Sequence, residues 1–232
     1  MEGGGRRNWR LLRKELDEHG HLRIPDLIPA DVCREIASLY TDDRRFRSTV
    51  SLDQHRFGSG EYRYFKRPLP TRVAMLRRHL YARLVPLANQ WHERLGLRER
   101  FEASLTGYTR RCHANGQKRP TPLLLRYEEG GFNCLHQDVY GELAFPFQAT
   151  VMLGEPDADF TGGEFLLVEQ RPRQQSRGEA FALEQGEAIV FPNRYRPIEG
   201  AKGVYRAQVR HGVSRIRKGL RLTLGIIFHD AA

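Results

Sequence analysis

Hydrophobic positions in the first half of the chain recur at the spacing of amphipathic helices. Residues 7–19, the segment PADVCREIASLY and residues 71–95 each carry apolar side chains three or four positions apart. These stripes are Trp9, Leu12 and Leu16; Val32, Ile36 and Leu39; and Leu76, Leu80, Leu84, Leu87, Trp91 and Leu95, with Phe101, Leu105 and Tyr108 in a following helix. Pro86 is expected to kink the longest helix or to split it in two.

From Gln117 onward the pattern changes to short apolar runs that are separated by Gly, Pro and Asp turns. Eight runs are predicted as strands: TPLLLRY, NCLHQD, FQATVML, GEFLLVEQ, EAFAL, EAIVF, VYRAQVRH and LRLTLGIIF. Eight short strands are typical of a double-stranded β-helix, which is a jelly-roll. We predict an α+β fold in which residues 1–116 form a helical support on the outer face and residues 117–232 form the jelly-roll core of a single compact unit.

The last predicted strand carries a cation on one of its two faces. From Leu220 to Phe228, apolar side chains alternate with Arg221, Thr223, Gly225 and Ile227. A guanidinium group therefore enters a strand that is otherwise suited to burial. A buried guanidinium is favourable only when it is paired, and its forked geometry suits a carboxylate. The sequence thus predicts that Arg221 binds an anion.

A candidate metal site lies in the segment LLLRYEEGGFNCLHQDVYG, residues 123–141. His136 and Asp138 are two positions apart, so an extended strand would present both side chains to one point. A His-x-Asp pair supplies two of the three ligands of the 2-His-1-carboxylate triad of Fe(II) oxygenases, although so short a motif also occurs by chance. His211, ten residues before Arg221, is the best candidate for the third ligand.

These residues resemble the pattern of the Fe(II)/2-oxoglutarate dioxygenases: His-x-Asp, a distal histidine and a basic residue about ten positions beyond it. The segment RYEEGGFNCLHQD is similar to that of AlkB-type alkylation-repair enzymes, in which the Tyr contacts 2-oxoglutarate; this implicates Tyr127. Residues 45–231 also resemble a bacterial oxygenase family described as acting oxidatively on damaged, methylated nucleic acid. The resemblance implies Fe(II), 2-oxoglutarate and O2 as cofactors, with Arg221 holding the far carboxylate of 2-oxoglutarate.

Two positions depart from the AlkB-type pattern. Those enzymes have a second arginine six residues after the first, where this chain has Ile227, and an asparagine two residues before the Tyr, where this chain has Leu125. The cosubstrate pocket is therefore only partly AlkB-like, and base recognition does not carry over.

Residues 44–67 interleave basic and aromatic side chains, as nucleic-acid grooves do. We name Arg63, Tyr64 and Phe65 as candidate substrate contacts on a flap over the iron. The alternative is a β-hairpin that turns at Gly58-Ser59-Gly60 and covers the core with its aromatic residues. In the basic loop of residues 169–177, Arg171, Arg173 and Arg177 would contact substrate phosphates or hold neighbouring loops, although a solvated loop is the simpler interpretation.

The composition favours an intracellular protein that meets polyanions. The net charge is +10, which attracts nucleic acid, although it is also what an arginine-rich proteome would give. Three widely spaced cysteines favour a reduced compartment, and no apolar run approaches the ~18 residues of a membrane span. We expect a cytoplasmic protein that has no membrane partner; the sequence does not specify its oligomeric state.

Three functions compete at this point. The first is oxidative demethylation of alkylated nucleic acid in DNA or RNA repair. The second is hydroxylation of a protein, as in prolyl hydroxylases, or of a small molecule, and the third is a non-catalytic jelly-roll that binds nucleic acid. An intact ligand triad together with Arg221 argues against the third function, because a protein that only binds nucleic acid does not need an arginine that holds the carboxylate of 2-oxoglutarate.

Overall fold

A computed structural model describes residues 7–138 and 141–232 of the chain. The helices are α1 (Trp9–His19), α2 (Ala30–Ser38), α3 (Leu52–His55), α4 (Thr71–Arg94) and α5 (Leu105–Ala114). Helix α1 begins after Asn8, whose side chain accepts hydrogen bonds from two backbone N–H groups of the first turn, and it ends at Gly20 in the left-handed conformation. The predicted helices are confirmed, but Pro86 does not split α4, because buried side chains on both sides of it hold the helix against the core.

The strands are β1 (Leu22–Ile24), β2 (Phe46–Ser51), β3 (Gly58–Ser59), β4 (Glu61–Phe65), β5 (Leu123–Tyr127), β6 (Phe132–His136), β7 (Phe147–Met152), β8 (Phe160–Gly162), β9 (Phe165–Gln170), β10 (Arg177–Phe181), β11 (Ala188–Pro192), β12 (Tyr195–Gly200), β13 (Gly203–Val213), β14 (Ile216–Gly219) and β15 (Arg221–Ile227). All eight predicted strands are present. Strands β8, β12 and β14 in the C-terminal half were not predicted, because they are short or carry no clear alternation.

Two antiparallel sheets face each other. The major sheet has the order β1-β11-β7-β15-β5-β4-β2, and the minor sheet has the order β10-β9-β13-β6-β3 with β12 paired to β13. The non-consecutive neighbours are the crossovers of a jelly-roll, so the predicted α+β fold with a double-stranded β-helix is confirmed. Strands β8 and β14 form a small separate sheet.

The major sheet has apolar side chains on both faces. Its outer face packs against α1, α2, α4 and α5 in the larger of the two main cores, which contains Leu80, Leu84, Trp91, Leu224 and Ile226. Its inner face packs against the minor sheet around Met152, Phe165, Ile189 and Phe191. The N-terminal helices therefore lie on the outer face, as predicted, and the inner face is left to form a site.

The basic-aromatic segment is part of both sheets. Strands β2 and β4 pair as an antiparallel hairpin, but Gly58-Ser59-Gly60 is not its whole turn. The connection runs from residue 52 to residue 60, contains α3, and adds β3 to the edge of the minor sheet beside β6. Because β4 also pairs with β5, this segment closes one side of the space between the sheets.

The N-terminal part of the chain contributes strands as well as helices. Strands β1, β2 and β4 belong to the major sheet and β3 belongs to the minor sheet, so both sheets contain strands from either side of residue 116. The division into residues 1–116 and 117–232 stays a prediction. In the described part of the chain, no helix is both long enough and apolar enough to span a membrane.

A buried ion cluster fixes the C-terminus of β15 to the helical layer. The Asp230 carboxylate is buried and accepts hydrogen bonds from Arg77 (2.9 Å) and Arg67, and it lies 2.9 Å from Nε2 of His113. Burial alone would raise the pKa of Asp230, but the charge of Arg77, the His113 hydrogen bond and the charge of Arg67 outweigh it and lower that pKa.

Replacing Asp230 with Asn should destabilise the fold by about 3–5 kcal/mol, because Arg77 would stay buried without its counter-ion. In the wild type, the lowered pKa of Asp230 gives stability that is present above the unfolded-state pKa of about 4 and is lost as the pH falls through the lower folded-state pKa. Urea unfolding between pH 7 and pH 2 measures both effects. The exposed Glu93→Gln serves as control; an Asp230→Asn protein as stable as this control would contradict the prediction.

Candidate active site

Three potential metal ligands meet between the two sheets. Strand β6 ends on His136, Asp138 follows it, and the register of β13 places His211 directly opposite His136. Nε2 of His211 lies 3.2 Å from one Asp138 oxygen, and Nε2 of His136 lies 3.6 Å from the other. One ligand atom from each residue lies within 4.8 Å of the others, so this His–Asp–His group (His136, Asp138 and His211) could hold a metal ion on one face.

Each histidine has one feature that suits a metal ligand. Nδ1 of His136 donates a hydrogen bond to the carbonyl oxygen of Cys134 (2.8 Å), which leaves Nε2 with its lone pair toward Asp138. His211 is buried against Phe165 and Phe191, and burial lowers its pKa. Nε2 of each histidine thus lies beside Asp138, and burial favours the uncharged form of His211, which is the form that binds a metal.

Arg221 supplies a buried cation in the same space. Its side chain is fully buried, and none of its three guanidinium nitrogens has a hydrogen-bond partner in the described part of the chain. Burial lowers the pKa of Arg221 to about 10, which still leaves it charged at neutral pH. Its stem passes Gly163, where a Cβ would lie 2.6 Å from Cδ of Arg221. Arg221 is therefore a buried cation whose nitrogens have no protein acceptor among the described residues, and its binding of an anion stays a prediction.

Tyr127 lies beside this arginine. Strands β5 and β15 pair Tyr127 with Arg221, and Cζ of Arg221 is 5.8 Å from the centre of the Tyr127 ring. Burial raises the pKa of Tyr127 to about 12, so its hydroxyl stays protonated. Nδ2 of Asn133 donates to that hydroxyl (3.2 Å), which leaves the hydroxyl proton available for a ligand. Asn133 was not predicted, although it lies three residues before His136 in the same motif.

One cavity of about 330 Å³ joins these groups. It is lined by the His–Asp–His group, by Arg221, Tyr127 and Asn133, and by the inward-facing residues of β4, β5, β7 and β15. Leu125 and Ile227, the two departures from the AlkB-type pattern, both line it. The cavity lies in the size range of small-molecule sites and contains both a cation and a potential metal site.

The candidate substrate contacts on β4 separate into two groups. Tyr64 lines the cavity together with Tyr62. Arg63 and Phe65 face the other side of the sheet, because neighbouring residues of a strand point in opposite directions. Arg63 forms ion pairs with Asp43 (2.6 Å) and Glu61 (2.9 Å), and Phe65 is buried under the helices.

The candidate contacts in the loop of residues 169–177 do not line this cavity. Arg171 forms an ion pair with Glu169 (2.6 Å), and Arg177 forms one with Glu179 (3.1 Å). Arg173 is exposed and has a positive φ of 60°. Hydrogen bonds from Gln170 to the carbonyl oxygen of Arg171 and to the Gln174 carbonyl fold the loop onto itself. Substrate contact by Arg171 or Arg173 stays a prediction.

Two comparisons with known proteins match most of this chain. The model of a protein family described as "Oxygenase, catalysing oxidative methylation of damaged DNA" matches residues 60–231. An uncharacterized protein of Mycobacterium tuberculosis is 47% identical over 193 residues, which cover 81% of this chain and 82% of that protein.

Solved structures share the fold. A prolyl-4-hydroxylase of Pseudomonas putida superposes with a TM-score of 0.58 at 15% identity, covering 97% of this chain and 100% of the other. An oxidoreductase of the 2OG-Fe(II) oxygenase family from Burkholderia pseudomallei gives a TM-score of 0.55 at 20% identity, covering 100% and 95%. The architecture is thus the one on which 2-oxoglutarate-dependent Fe(II) oxygenases are built.

Replacing Arg221 with Met should raise the 2-oxoglutarate concentration needed for turnover by about 10- to 100-fold, because a charged hydrogen-bond donor is lost. The iron requirement should change much less. 2-Oxoglutarate at 100 times its dissociation constant for the wild type should raise the melting temperature of the wild type by about 5–10 °C, and that of Arg221→Met by only about 1–5 °C. The exposed Arg217→Met is the control, and an equal response of both variants to 2-oxoglutarate would contradict the assignment.

Proposed function

Because the chain belongs to the family described as an oxygenase that catalyses oxidative methylation of damaged DNA, we propose that it oxidises alkyl groups on nucleic acid. The prediction of an oxygenase is confirmed by this membership, and the cofactors of enzymes with this fold are Fe(II), 2-oxoglutarate and O2. The observation that carries the proposal is a fully buried, unpaired guanidinium that shares one cavity with the His–Asp–His group.

Each residue has a defined part in this proposal. His136, Asp138 and His211 hold the iron on one face through two neutral imidazoles and one carboxylate. Arg221 pairs with the far carboxylate of 2-oxoglutarate, and the Tyr127 hydroxyl donates a hydrogen bond to it. Asn133 orients Tyr127 by donating to the oxygen of that hydroxyl.

The protein contributes position and exclusion of water. When bound, iron and 2-oxoglutarate supply the oxidation of a C–H bond by O2, with succinate and carbon dioxide as coproducts. The cavity walls keep water from the reacting centre and hold the target C–H bond near the open face of the His–Asp–His group. A hydroxylated N-methyl group is a hemiaminal, which loses formaldehyde, so oxidation of this kind removes the methyl group.

Charge and aromatic residues near the cavity support a nucleic-acid substrate. The chain has a net charge of +10, which favours association with a polyanion. The Gln137 side chain, between two of the proposed ligands, donates to the carbonyl oxygen of Arg194. The exposed side chains of Arg194 and Arg206 both lie over the ring of Tyr195, at 4.6 and 5.9 Å. Surfaces that bind single-stranded nucleic acid combine basic side chains with aromatic rings on which bases stack.

A protein hydroxylase is the second candidate. Leu125 and Ile227 make part of the cavity apolar where AlkB-type enzymes have polar residues, and this would suit a side chain such as proline. A non-catalytic binding protein is disfavoured, because an unpaired buried arginine destabilises the fold and is explained by an anionic ligand.

Anaerobic addition of Fe(II) and 2-oxoglutarate should give the visible charge-transfer band of a chelated iron. We expect His136→Ala, Asp138→Ala and His211→Ala to lose the band and all turnover while staying folded, since each removes one of three ligands. Arg221→Met should give a weaker band at the 2-oxoglutarate concentration that just saturates the wild type, and higher concentrations should restore it. The exposed His19→Ala is the control. A band that persists in the ligand variants would contradict the metal site.

The substrate proposal is tested by succinate release. An oligonucleotide with an N-methylated base should stimulate turnover of 2-oxoglutarate above the level with the unmethylated oligonucleotide, and formaldehyde should appear in equal amount. Peptides that contain proline should give no stimulation. Stimulation by the peptides and by none of the oligonucleotides would instead select the protein-hydroxylase alternative.

A further inference from the structure

The cavity extends along β15 well beyond Arg221. Strand β15 presents Arg221, Thr223, Gly225 and Ile227 to it in succession, so Ile227 lies about 20 Å along the strand from Arg221. The register places Tyr62 beside Leu125, Tyr64 beside Leu123 and Gln148 beside Ile227. We call this end of the cavity the ring chamber; it is formed by Tyr62, Tyr64, Leu123, Leu125, Gln148 and Ile227.

The amide of Gln148 is an unsatisfied donor in this chamber. The residue is 4% exposed, and its Nε2 is buried with no hydrogen-bond partner in the described part of the structure. A buried donor without an acceptor destabilises the fold, and in a cavity a ligand can supply the missing acceptor. Gln148 therefore indicates a ligand with an acceptor atom, such as a ring nitrogen or a carbonyl oxygen.

Two tyrosines form an aromatic corner opposite. The rings of Tyr62 and Tyr64 are 5.4 Å apart and nearly perpendicular, at 85°. Cζ of Arg47 lies 4.4 Å from the centre of the Tyr64 ring. A flat ring can stack on one member of such a corner and meet the other edge to face, which are the two favoured aromatic geometries.

Apart from Arg47, which stacks on the Tyr64 ring and does not line the cavity, the walls of the ring chamber carry no charge. The charged groups and histidines among the described residues that line the cavity are His136, Asp138, His211 and Arg221, and none of them belongs to the ring chamber. Leu123, Leu125 and Ile227 complete the chamber with aliphatic surface. It therefore suits a neutral planar ring better than an ion or a phosphate.

We propose that the ring chamber binds the target base: a neutral heteroaromatic ring that lies against Tyr62 and Tyr64, accepts a hydrogen bond from Gln148, and directs its alkyl group toward the His–Asp–His group. The base must leave its stack to enter, as in other enzymes that act on bases. This assignment rests on the proposed function and names the part of the substrate that the cavity recognises.

The test uses Gln148→Met, which keeps the side-chain volume and removes the donor, and Tyr62→Leu, which removes the ring. Gln90→Leu, on the exposed side of α4, is the matched control. The probes are one oligonucleotide with an N-methylated base and the same oligonucleotide with an abasic site at that position. Succinate release gives KM and kcat, and fluorescence anisotropy gives the affinity for each probe.

We expect Gln148→Met to raise KM for the methylated oligonucleotide about five- to tenfold, and Tyr62→Leu to raise it about tenfold or more. Affinity for the abasic oligonucleotide should be the same in both variants and in the control, because only the base enters the chamber. Gln148→Met should also raise the melting temperature by about 2–4 °C, since it removes an unsatisfied buried donor. A lower melting temperature would mean a structural role and count against the proposal.

Failure of this inference can be separated from failure of the proposed function. If the methylated oligonucleotide stimulates the wild type but both variants behave like Gln90→Leu, the ring chamber is wrong and the proposed function stands. If the wild type binds iron and 2-oxoglutarate but no methylated DNA or RNA oligonucleotide stimulates its turnover, both the ring-chamber assignment and the proposed function are wrong. If a proline peptide stimulates turnover and Tyr62→Leu abolishes that stimulation, the chamber binds a protein side chain. This result would overturn the base assignment.

Discussion

The guanidinium of Arg221 lies inside the jelly-roll, fully buried and without a hydrogen-bond partner in the described part of the protein. A cation in such a position is costly until an anion joins it, and most other features of the site follow from that constraint. Gly163 makes room for its stem, Tyr127 lies beside it with a protonated hydroxyl, and the His–Asp–His group shares its cavity. The fold keeps an unfavourable charge that a dicarboxylate can neutralise.

A second buried arginine makes the contrast clear. Arg77 is almost as deeply buried as Arg221, but it donates to the Asp230 carboxylate and to two backbone carbonyl groups. Its charge is satisfied within the protein, and the pair ties the end of β15 to α4. The same residue type thus serves the fold at one end of β15 and, in our proposal, the ligand at the other. What distinguishes the two is the presence of partners and not the degree of burial.

The cavity depends on strands that use both of their faces. Strand β4 gives Tyr62 and Tyr64 to the cavity, and it gives Arg63 and Phe65 to the opposite side, where they form ion pairs and core contacts. Strand β15 likewise gives Arg221 and Ile227 to the cavity and Leu222, Leu224 and Ile226 to the core under the helices. Each of these strands therefore provides cavity residues on one face and core residues on the other. A shift of register by one residue would exchange the two faces.

The sequence by itself determined the longer helices, the main strands of the jelly-roll and the chemistry that depends on short spacings. The helices followed from apolar residues at helical intervals, the jelly-roll from a series of short alternating strands, and the pairing of His136 with Asp138 from their separation by two residues. Alternation in the last strand also placed Arg221 apart from the apolar face. These inferences needed only the periodicity of helix and strand, which is local.

The tertiary structure decided which distant residues meet. That His211 lies opposite His136, that Asn133 donates to Tyr127, and that Gln148 lies in the cavity without a partner all depend on strand register across the two sheets. The sequence could not predict that Arg63 and Phe65 face away from the cavity. Alternation shows that a strand has two different faces, but it does not show which face lines the cavity. That choice is made by the neighbours a strand acquires, through contacts between residues far apart in the chain.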